Sequence, residues 1–70
     1  MDEYIYRGMY KRVDESTWHS WSKKVYKMKH HARIGFPKNM KWIPEEGFWF
    51  DQSRGMCYKI QRSTGWEDVE

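Results

Sequence analysis

The run from Tyr4 to Val13, Tyr-Ile-Tyr-Arg-Gly-Met-Tyr-Lys-Arg-Val, is rich in side chains that favour extended chain and predicts a strand. Ile5, Met9 and Val13 also recur at every fourth position, a spacing that a helix would satisfy. From residue 16 the pattern changes. Trp18, Trp21, Val25, Met28 and Ala32 follow at intervals of three or four, and on a helix they would fall within an arc of roughly 80°, with Lys23, Lys27 and His30 nearly opposite. Asp14 or Ser16 stands where a cap is needed, Gly35 accommodates the left-handed conformation that ends a helix, and Pro37 cannot continue one. The spacing therefore predicts an amphipathic helix over about residues 16–34.

Beyond Gly35 the period shortens to two. Met40 and Trp42 alternate with Lys41 and Ile43 until Pro44, which predicts a short strand at about 39–43. Phe48-Trp49-Phe50 reads as an aromatic strand, Asp51 to Gly55 as a loop, and Met56, Tyr58 and Ile60 alternate with Cys57, Lys59 and Gln61 in the returning strand of a hairpin. If Phe48 and Phe50 point to the helix with Met56, Tyr58 and Ile60, Trp49 points away, on the side of Cys57, Lys59 and Gln61. Ser63-Thr64-Gly65 marks a last turn before an acidic tail that starts at Trp66. The fold class these elements imply is α+β: one amphipathic helix packed on a small antiparallel sheet of three or four strands, in the order β-α-β-β-β, forming a single domain over residues 1–70.

Composition narrows the class. The chain has five Trp, five Tyr, five Met and three Phe but no Leu, so its core is aromatic, and a Leu-driven bundle or coiled coil is excluded. Cys57 is the only cysteine, so no internal disulfide forms, and an intracellular (cytoplasmic) setting is expected. The N-terminal residues show neither a signal peptide nor a transmembrane pattern.

Charge changes the picture more. Residues 1–15 carry a net −1 and residues 45–70 a net −3, whereas residues 16–44 hold seven Lys and Arg, three His and no acid. A block of one sign on a folded domain attracts polyanions, although a solvated lysine face that keeps a small protein soluble has the same composition. The candidate nucleic-acid contacts are Lys23, Lys24, Lys27, His30, His31, Arg33, Lys38 and Lys41. An outward Trp49 beside Lys59, together with Tyr4 and Tyr6, is the candidate surface for a partner protein or a stacked base; the alternative is that Trp49 is covered.

Other chemistries find little support. Cys57 sits mid-strand with no base placed beside it, adjacent His30 and His31 diverge on a helix, and there is neither a C-x-x-C pair nor a Gly-rich phosphate loop. No catalytic residue, metal site or cofactor is expected. A membrane-surface helix is disfavoured because the apolar stripe is needed to cover the sheet. Glu46-Gly47-Phe48-Trp49-Phe50, followed by Gly55, Tyr58, Ile60 and Trp66, resembles the wing region of small phage winged-helix excisionases, which bind and bend DNA. The likeness covers the last third of the chain and implies no residue roles, because the preceding residues lack the Ala and Gly pattern of a helix-turn-helix. The leading expectation is a small basic non-enzymatic nucleic-acid-binding module. Its rival is a small inhibitor or adaptor, of the kind phages and mobile elements encode, that docks on a larger host protein.

Overall fold

A computed structural model describes residues 4–21, 24–63 and 65–69. They form β1 (Tyr6–Arg12), β2 (His19–Ser20), β3 (Lys41–Ile43), β4 (Phe48–Asp51), β5 (Met56–Arg62) and β6 (Glu67–Val69), with a 3₁₀ turn at Lys29–Arg33 and no α-helix among the described residues. The expected α+β fold is thereby corrected to an antiparallel sheet in the order β2-β1-β5-β4-β3. β5 is its centre: all seven of its residues pair with β1, while its other edge pairs first with β4 and then with β6. The acidic tail is thus a strand, and a winged-helix arrangement is excluded with the helix.

The strand orders explain what replaces the helix. β2 lies at one edge of the sheet and β3 at the other, so the chain between them has to cross its full width, about 19 Å for five strands. It first runs back along β1, where Trp21 donates its amide to the Gly8 carbonyl and Tyr26 exchanges both backbone hydrogen bonds with Tyr6. It then passes over one face of the sheet, burying Ala32 and Phe36, and reaches β3 through Met40. The five residues that looked like one helical stripe are divided among three environments. Trp18 packs against Phe48, Trp21 packs against Tyr58, Ala32 is buried, and Val25 and Met28 are each 51% exposed.

Two physical reasons favour this path. Apart from Ala32, Met28, Arg33 and the lysines, residues 16–34 are mostly Ser, Thr, Trp, His, Tyr and Val, which are weak helix formers. With no acid present, a helix would also set Lys23 against Lys27 at i,i+4 with no opposite charge to offset the repulsion. The anticipated stop survives in a different role: Gly35 has φ +91 and closes the segment around the 3₁₀ turn, with the Trp21 indole N–H donating to the Ile34 carbonyl.

The core is built from rings. Register places Trp42, Trp49, Tyr58, Tyr10 and His19 opposite one another in a single row across β3, β4, β5, β1 and β2. Trp42 and Trp49 approach to 4.7 Å between centroids, and Trp21 and Phe36 close over Tyr58 at 5.4 and 4.9 Å. Gly8 makes this closure possible. A Cβ there would stand 2.7 Å from the Ala32 carbonyl oxygen and 3.0 Å from the Phe36 ring, so only glycine lets the crossing segment lie this close to β1.

Candidate nucleic-acid interface

The crossing segment has an inner and an outer side. Inside are Trp21, Ala32 and Phe36; outside, Lys24, Lys27, Lys29, His30, His31, Arg33 and Lys38 are all exposed, as is Lys41 at the start of β3. Of the predicted nucleic-acid contacts, Lys23 lies outside the described residues. The rest fall on this segment or at its junction with β3, not on one face of a helix. Arg33 has a second task, since its guanidinium carbon sits 4.9 Å above the Trp49 ring and helps to close the core. The rings of His30 and His31 meet edge to face at 4.3 Å. Val25, Met28 and Ile34 interrupt the cations and are 51, 51 and 65% exposed.

Acids are engaged elsewhere. Asp51 is buried in the β4–β5 turn, where it accepts from the Ser53 amide and hydroxyl at 3.1 and 2.7 Å and faces Arg54 at 3.7 Å. Asp68 pairs with Lys59 and accepts from Gln61, and Glu67 pairs with Arg62, which holds the Arg62 guanidinium more firmly protonated. Glu15 pairs with His19 at 3.0 Å, and this hydrogen bond lowers its pKa. These pairs lie at β5 and β6, at the β4–β5 turn and beside β2, and residues 24–41 themselves hold cations and no acid.

The protein-docking candidates fare differently. Trp49 does not point outward; it is 9% exposed, directly opposite Tyr58 in the core row. The error is one residue of register. The loop has four residues because Asp51 pairs with Met56, and shifting the pairing by one exchanges the two faces of the hairpin. Lys59 therefore lies on the face opposite Trp49, its side chain only 12% exposed between Asp68 and the Trp18 ring. Tyr6 packs against the core, and half-buried Tyr4 lies under the Arg62 guanidinium. The signal that could have set the register is Asp51 with Ser53, since an Asp two residues before Ser closes a turn on its own backbone.

The outward aromatics are instead Phe48, Phe50, Trp18 and Trp66, on the face that the crossing segment leaves open. Lys41, Phe50, Cys57 and Lys11 stand in one row across β3, β4, β5 and β1. Beside this row, Trp18 meets Phe48 at 5.7 Å and carries Lys59 over its ring at 4.4 Å. Trp66, the one non-glycine residue described with positive φ, at 56°, lies under Arg7 at 3.8 Å. Cys57 is 1% exposed, and burial raises its pKa. Among the described residues no three His, Cys, Asp or Glu side chains come together to hold a metal ion, and no helix is long and apolar enough to cross a membrane. No family model, curated protein or solved structure matches this chain.

Proposed function

We propose that this chain is a non-enzymatic nucleic-acid-binding module whose crossing segment, residues 24–41, is the face that meets phosphate. One observation carries the reading: the segment laid over the sheet lies within the longest acid-free stretch of the sequence, residues 16–44, and its Lys and His side chains are exposed. Clustered cations on a fixed scaffold release counterions from a polyanion, and this term supplies essentially all of non-specific nucleic-acid binding. The absence of a recognisable base-reading element on this segment fits contact with backbone rather than with sequence. Cys57, the one nucleophilic thiol, is enclosed and kept protonated by burial, which supports a binding rather than a catalytic role. The anchor expected for a protein-docking module, Trp49, is a core residue.

The test is affinity for a labelled duplex as a function of salt, for the native chain and for the triple variant Lys27→Glu, Lys29→Glu, Lys38→Glu. These side chains are exposed, so the variant keeps its fold. Native affinity is expected to fall with salt, and every phosphate that the variant no longer neutralises takes about 0.9 from the slope of log K against log salt. Unchanged binding by the variant, or a salt-independent affinity, overturns the proposal.

A further inference from the structure

The open face holds a groove of about 370 Å³, within the size range of small-ligand sites. Phe48, Phe50, Ile43 and Val13 make its walls, and the enclosed Cys57 lies between them. Its two charges are opposite in sign. Lys11 and Glu46 both line it, and both act on the Cys57 thiol, Lys11 lowering its pKa and Glu46 raising it. Lys41 stands beside Phe50 on the same face, so the cations of the crossing segment continue around the β3 edge to the mouth of the groove.

An aromatic wall with a cation on one side and a carboxylate on the other has the complementarity of a nucleotide. The base lies on Phe48 and Phe50, its phosphate reaches Lys11 or Lys41, and Glu46 accepts a hydrogen bond from an exocyclic amino group. Cytosine, adenine and guanine offer that donor at N4, N6 and N2, whereas thymine has no exocyclic amino group and flanks its one ring N–H with two acceptor oxygens. A base paired within a duplex is not free to enter, so the ligand is single-stranded. We infer that this groove seats an unpaired, amino-bearing base (cytosine, adenine or guanine) of a single-stranded nucleic acid, whose backbone leads away along Lys41 to the crossing segment. The inference rests on the nucleic-acid reading above and adds to it the strand state and the base class.

Binding of oligo(dC), oligo(dA) and oligo(dT) 12-mers and of a 12-base-pair duplex to the native chain is compared with binding to Glu46→Ala and Phe50→Ala. The native chain is expected to bind oligo(dC) and oligo(dA) about tenfold more tightly than oligo(dT), a difference the size of one good base contact. Glu46 is an exposed turn residue, and Glu46→Ala, which removes the acceptor, is expected to erase this preference. Phe50→Ala is expected to weaken single-strand binding about tenfold by removing the stacking ring. Should Phe50→Ala not fold, the Glu46→Ala comparison decides alone. Duplex binding without a single-strand base preference, or a preference that survives Glu46→Ala, overturns the groove and leaves the crossing-segment reading standing. Failure of every oligonucleotide to bind overturns both.

Discussion

On one side of β5, Tyr58 and Ile60 are 2 and 0% exposed beneath Trp21, Ala32 and Phe36. On the other side, Lys59 and Gln61 keep polar heads at the surface, joined to Asp68. The difference lies in what covers each face. The first is sealed by a segment with almost no regular structure, held by ring contacts and by the close approach at Gly8. Across the second lie long side chains and rings, with Lys59 and Lys11 over Trp18 and Arg7 over Trp66. A chain of this size has little material for a core, so one segment both closes it from inside and carries the charge outside. Fold and proposed function therefore meet in residues 24–41.

The contrast breaks most visibly at Trp49. Trp49→Ala removes the ring of the core row that lies between Trp42 and Tyr58 and beneath Arg33, and is expected to cost about 3 to 5 kcal/mol in denaturant unfolding. A loss below about 1 kcal/mol would place Trp49 on an open face and reverse the two sides of the sheet. Gly8→Ala comes next. Its Cβ would meet backbone at 2.7 Å, and the crossing segment would have to lift, at a cost of about 1 to 3 kcal/mol. An unchanged midpoint for Gly8→Ala would show that the segment is not seated on β1.

The strands were legible because period-two alternation survives in Met40 to Ile43 and Met56 to Gln61, and because turn residues bracket them. The crossing segment was not. Its three-and-four spacing is the mark of a helix, yet the rings it spaces go to opposite sides of a sheet, an arrangement that depends on strands far away in sequence. β6 was hidden for a related reason, since its acids pair with cations on β5. Gly8 was readable as an isolated glycine in a strand, which marks close backbone approach. The charge block was visible from composition, but its inner side was not. The outward aromatics were misplaced because a single residue of loop length decides which face each one takes.

A smaller effect sharpens the comparison with one buried group on each face of β5. Burial raises the pKa of both Cys57 and Tyr58, so the folded chain keeps protons that the unfolded chain releases. Both groups are protonated in either state at neutral pH, and stability is expected to fall as pH rises through about 8.5 to 10, where they ionise in the unfolded chain first. Urea midpoints at pH 7 and pH 10 check this. A midpoint that is flat or rises would mean these two side chains are open to water.

The claim that the crossing segment is the polyanion face is tested most directly by amide chemical-shift mapping during titration with a short duplex. The largest shifts are expected within residues 24–41, centred on Lys27 to Lys38, and reversed by added salt, while the amides of β5 beneath them stay in place. Shifts confined to β5, β6 and the turn at Asp51, with residues 24–41 unmoved, would contradict the account.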